Sequence, residues 1–277
     1  MPLTGSLKSL LLRGILAGLV AGLLTGAVAF ALGEPHVAAA IAIEESAPTS
    51  EAAPHEHADP AATAGHSHSD SDEVLVSRDG QRAGLILATT LAGVAIGVIF
   101  GVVAHYARRH TAIAAPLPAL GLAGAGWLAV EAVPFFKYPA NPPAVGDPDT
   151  INQRTWYWLA ALVLGLAAVA AAVYVAKLLA SQGYWTVRLA ASAATFLAIV
   201  TVGYLLLPTV NEVGEDFPAT LLWQFRISSL ATQATLWLSL GLAYAFLTER
   251  AQRAGSPSQT APDTMQGRAP TAGTVQP

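Results

Sequence analysis

Cysteine is absent from the 277-residue chain. Its absence excludes disulfides, thiolate metal ligation and thiol catalysis. Charge is scarce too: Asp, Glu, Lys and Arg make up 12% of the residues, where a soluble domain carries about 25%. That shortfall points to a lipid-facing protein. A net charge of −4 is too small to suggest a nucleic-acid partner. No nucleophile elbow, HExxH zinc motif or P-loop occurs. The sequence therefore indicates no enzyme and no bound cofactor, and ATP-driven transport would need another subunit.

Apolar residues are plentiful, at 53% of the chain. They form six long runs, at about 10–32, 83–107, 112–135, 156–180, 187–207 and 221–247. Each run has about the twenty residues needed to cross a hydrocarbon core of about 30 Å. The expected fold is all-α, a polytopic membrane bundle of about six helices filling residues 1–250, with the lipid bilayer as its solvent. The first run follows Lys8 and Arg13 and ends near a signal-like "AFALGE". It is longer than the usual 7–15-residue signal core, so a retained helix is expected.

With the N-terminus inside, nine of the fourteen basic residues fall on the inner side and five, Arg78, Arg82, Lys137, Arg154 and Arg226, on the outer. The positive-inside rule then places both termini in the cytoplasm. Sixteen of the eighteen acids fall outside, all but Glu249 and Asp263. Such an outer surface attracts cations.

Glycines recur every fourth residue in the first run, at Gly14, Gly18, Gly22 and Gly26, and in the second, at Gly93, Gly97 and Gly101. This spacing lines one helical face with small residues and predicts close packing, of these spans on each other or on another subunit.

The outer loop at 46–81 is rich in Glu, Asp, Ala, Ser, Pro and His and is expected to be mobile. Its run "HEHADPAATAGHSHSD" holds two His-x-His pairs, His55/His57 and His66/His68. In extended chain, i and i+2 point the same way, so each pair could chelate one ion. Imidazole with carboxylate suits Co, Ni, Zn or Cu without discriminating among them. Weak capture of metal is one reading, and a solvated linker is the other. Ahead of the loop, at the front of the connection from 33 to 82, "EPHVAAAIAIEE" reads as a short interfacial helix. There Glu34, His36 and Glu44 form either a vestibule site or an ordinary polar helix boundary. The tail at 254–277 reads as a disordered cytoplasmic segment.

Two charges lie within the apolar runs. Glu131 sits near the outer end of the third span and Arg226 near that of the sixth. Ionisable groups at such depth usually face a partner or a cavity. Their similar depth allows an ion pair, with Glu131 as cation ligand and Arg226 as its gate, or two headgroup-level charges in water. Arg226, Ser229 and Gln233 share one face of the sixth span. That stripe serves either hydrogen bonds between helices or a hydrated path. Pro134 either frees the carbonyl of Val130 for a cation or marks a helix end.

Three segments, "EPHVAAAIAIEE", "VSRDGQRAGLILATTLAG" and "PFFKYPANPPAVGDPDTINQRTWY", together resemble the CbtA family of predicted cobalt transporter subunits over about 7–247. The proline-rich "KYPANPPAVGDP" is the most specific of these elements. The resemblance implies a multi-pass protein of the bacterial inner membrane, cobalt supply for cobalamin synthesis, and a small CbtB-type membrane partner. It carries over no ligand assignment. The expectation is a subunit passing Co²⁺ inward. The alternatives are a non-transporting accessory or scaffold subunit and a transporter of Ni²⁺ or Zn²⁺.

Overall fold

The computed structural model describes residues 5–46, 77–110, 116–143, 145–146 and 148–255. Among these there is no strand, and six helical runs are long and apolar enough to cross a membrane. The first is α1 (Leu7–Val28), which passes through a π-helical turn at Ala29–Gly33 into α2 (Glu34–Ser46). The second is α3 (Arg78–Ala107). The third joins α4 (Leu117–Trp127), a π-helical turn at Leu128–Ala132 and α5 (Val133–Lys137). The others are α6 (Ile151–Leu178), α7 (Trp185–Leu206) and α8 (Ala219–Gly255).

Several boundaries differ from the sequence reading, each for a local reason. The short helix expected after the first span is not separate, because the chain never leaves helical geometry across Ala29–Gly33. The resulting 40-residue run is about 60 Å long at 1.5 Å per residue. It therefore projects well past a hydrocarbon core. α3 starts at Arg78, inside the expected loop. Ser77 caps it by accepting the Gly80 N–H at 3.2 Å, and Asp79 lies in its first turn. Pro134 does not end the third span, since Tyr138 N–H donates to its carbonyl at 2.8 Å, one turn on. α8 continues through Gly255 into what read as tail. The run at 55–70 lies outside the described residues.

The glycine faces meet each other. A methyl group placed on Gly14 would lie 2.1 Å from the Gly97 carbonyl oxygen, and one on Gly18 would lie 2.2 Å from that of Gly93. Only hydrogen fits at such distances, so the spacing of four becomes backbone contact between α1 and α3. α1 also packs on α8, α8 on α4, and α6 on the π turn at Leu128–Ala132, with α7 against α6. The core lies where α1, α3, α4 and α8 converge, around Leu10, Phe100, Ala123, Leu240 and Tyr244. Phe100 meets Tyr244 edge to face at 5.0 Å. No residue of α7 is buried, and Leu205 and Leu206 are about four-fifths exposed. An apolar outer face of this kind needs a lipid solvent.

Candidate cation site

One end of the bundle collects the chemistry. The proline-rich connection after α5 folds back over the helix ends. Tyr138 Oη donates to the Pro208 carbonyl at 2.8 Å, and Pro142 is fully buried. Burial, and then the neighbouring Tyr157 ring, push the Tyr138 phenol above its usual range, which keeps it a donor. The connection after α7 is tied in by Glu212. Its carboxylate pairs with Arg154 at 2.8 Å and accepts from Thr150 Oγ1 at 2.6 Å. Gly146, at φ 114°, turns the chain beside this pair, where a side chain would be strained and would meet Arg154 and Glu212.

Beneath this cover is a cavity of about 740 Å³. Its polar wall is the stripe Arg226, Ser229 and Gln233 on α8, facing Glu131 and the ends of α5 and α6. Glu131 and Arg226 line the same space without pairing. Arg226 instead donates to Asn141 Oδ1 at 2.9 Å and to the Ala140 carbonyl at 3.3 Å, holding the proline-rich connection. Among the described residues Glu131 forms no ion pair. It sits in the π-helical turn, whose Ala129 carbonyl lies against Gly165 of α6, where an added methyl would come within 2.2 Å. The turn is thus clamped on one side and open to the cavity on the other.

A second cavity of about 310 Å³ lies across α8 and shares Ser229 and Gln233 with the first. Glu34 lines it and is already engaged. One carboxylate oxygen accepts from Arg78 at 2.8 Å and from Arg82 at 3.0 Å, and the side chain is only 15% exposed. His36 Nδ1 lies 2.7 Å from the Leu32 carbonyl, so Nδ1 carries the proton, and 3.2 Å from Ser228 Oγ. Glu44 is exposed on the last turn of α2. The structure therefore brings Glu131 and Arg226 to one cavity and Glu34 to its neighbour, with His36 outside that lining and in contact with it only through Ser228. His55, His57, His66 and His68 lie outside the described residues. Among the described residues no three His, Asp or Glu side chains cluster as a metal site would require.

The partners of Glu34 were missed: the spacing of four puts Arg78 and Arg82 on one helix face but does not say which acid they meet. The Glu212–Arg154 pair had no signal, being 58 residues apart in sequence. Trp237, which borders Glu131, looked like any apolar helix residue.

The sequence pattern of the family described as "Probable cobalt transporter subunit (CbtA)" matches residues 7–249, which takes in all six spans. The chain belongs to the CbtA family. No curated protein and no solved structure is significantly similar to it. CbtA membership makes this chain a probable cobalt transporter subunit, and six apolar helical runs make it multi-pass.

Proposed function

We propose that this CbtA chain carries Co²⁺ inward across the bacterial inner membrane, that the 740 Å³ cavity is its entrance, and that the cobalt serves cobalamin synthesis. The observation carrying this reading is Glu131, an acid in a spanning segment that faces the cavity with no ion pair among the described residues. An intramembrane carboxylate is costly and is retained where it meets a cation or a path. Ser229 and Gln233 add neutral oxygens on the facing wall, and Arg226 sets the local field. The histidines at 55, 57, 66 and 68 capture metal outside, with Glu44 near the mouth. The basic-residue count supports an outward cavity with both termini in the cytoplasm.

Glu34 has a structural role beside this path, because two guanidinium groups already neutralise it. A small CbtB-type membrane subunit is the proposed partner. The word "subunit" in the family description also favours a second reading, in which this chain assists transport without conducting. Purified chain in vesicles separates the two. Cobalt entry without a partner, lost in Glu131→Gln, supports the first. Entry only with the partner, unaffected by Glu131→Gln, supports the second. Competition by Ni²⁺ and Zn²⁺ in the same vesicles tests the metal.

A further inference from the structure

Resting on the reading of the cavity as the entrance, we propose that Trp237 is the barrier at its floor, a ring that must leave its seat for a cation to pass below Glu131. Gln233 lines the cavity, and Trp237 is the next residue on the same face of α8, one turn deeper. Beyond it the path would enter the packed layer of Leu240, Ala123 and Tyr244. The indole thus lies next after the last polar group of the stripe and is itself part of the core cluster.

Three observations bear on it together, the first of them shared with Trp127 and Tyr244. The ring is only 8% exposed, yet its N–H has no hydrogen-bond partner among the described residues. A buried, unpaired donor is a standing cost that native cores usually avoid. An acceptor is nearby, for the indole interacts with the Glu131 carboxylate without reaching a hydrogen bond of normal geometry. Finally, the ring is seated by shape against α4. It fills the space where Gly126 of α4 lacks a side chain, and a methyl there would lie 2.1 Å from ring carbon Cζ3. Gly126 stands two residues before the π-helical turn that carries Glu131, a backbone irregularity often found where function requires adjustment. The seat of the ring and the position of the carboxylate therefore belong to one segment.

The absence of native cysteine makes the test clean. Gln233→Cys reports the cavity and Leu240→Cys the layer beneath the ring. A membrane-impermeant maleimide is applied to intact cells and, separately, to inverted vesicles, and the side that labels position 233 defines the cavity side. With Trp237 intact, position 240 should be protected. In Trp237→Ala it should label from the cavity side on the order of tenfold faster or more, since thiol reactivity follows access. Trp237→Phe keeps a ring in the seat and should stay protected. Gly126→Ala, which fills the seat while leaving every polar group in place, should label and serves if Trp237→Ala folds poorly. Protection at 240 in both Trp237→Ala and Gly126→Ala overturns the barrier. So does equal labelling with Trp237 intact, or labelling in Trp237→Phe as fast as in Trp237→Ala. Cobalt is not part of this readout. Labelling at 233 with the barrier overturned leaves the entrance standing, whereas protection at 233 from both sides overturns entrance and barrier together.

Discussion

Glu34 and Glu131 are two acids in equivalent backbone settings with opposite surroundings. Glu34 follows a π-helical turn in the first span and Glu131 lies inside one in the third. Each lines a cavity against α8, and the two cavities share Ser229 and Gln233. Glu34 is held by two guanidinium groups within 3.0 Å. Glu131 forms no ion pair among the described residues, although Arg226 lines the same cavity. A carboxylate between two arginines has its charge answered by the fold. One facing a cavity without an ion pair leaves its oxygens open to a ligand. That difference is why Glu34 is read as structural and Glu131 is proposed as the cation ligand.

The strongest way to break this contrast is to neutralise each acid in turn. Glu131→Gln should lower cobalt uptake at limiting metal by about tenfold, equivalent to about 1.4 kcal/mol of lost cation binding. It should leave thermal stability in detergent unchanged or slightly higher, because no ion pair is lost. Unchanged uptake would move the site elsewhere. Glu34→Gln should do the reverse. Arg78 and Arg82 lose the negative charge of their shared acceptor, and because both are well exposed the cost is held to about 1 kcal/mol of stability. Uptake per folded molecule should stay near the wild-type value. A melting curve beside uptake normalised to folded protein reads both. A tenfold loss of normalised uptake in Glu34→Gln would erase the distinction.

How much of this was legible beforehand depended on whether the cause was local. The six spans, the glycine faces and the common face of Arg226, Ser229 and Gln233 follow from spacing along one helix, while what each face meets was left between two readings. The pairing of Glu34 with α3 and of Glu212 with Arg154 depends on which ends of distant helices meet, which one sequence leaves open. The π-helical turns carry no compositional mark at all. At Leu128–Ala132 the local residues are ordinary helix formers, and the turn is evident only where Gly165 lets α6 close on Ala129. Glu131 and Arg226 read alike as unusual charges. That one reaches for the proline-rich connection and not for the other is a fact of tertiary structure.

Arg226 offers a smaller and more specific perturbation of the same contrast. It is the cation nearest in role to what Arg78 and Arg82 are for Glu34, but it is committed to Ala140 and Asn141. Arg226→Gln removes a positive charge from the cavity and loosens its cover. One unit charge across a hydrated space is worth about 1 kcal/mol. The half-saturating cobalt concentration for uptake should therefore fall by about fivefold, with a smaller change in maximal rate. A rise in that concentration would mean that Arg226 supports the site and does not oppose the cation.

The smallest effect concerns the segment at 55–70, which tests whether capture and passage are separable. On the proposed reading its two His-x-His pairs raise the local concentration of metal outside but leave the carboxylate inside unchanged. When external cobalt is far below half-saturation, entry scales with local concentration, so capture matters. When cobalt is plentiful, the interior site is full with or without capture. Replacing His55, His57, His66 and His68 by Ser keeps the length and most of the polarity of the segment. Uptake at scarce cobalt should fall by about two- to threefold, the gain expected of a modest effective concentration, and uptake at saturating cobalt should not change. An equal loss at every concentration would place an essential ligand in that segment and reduce Glu131 to a neighbour of the path.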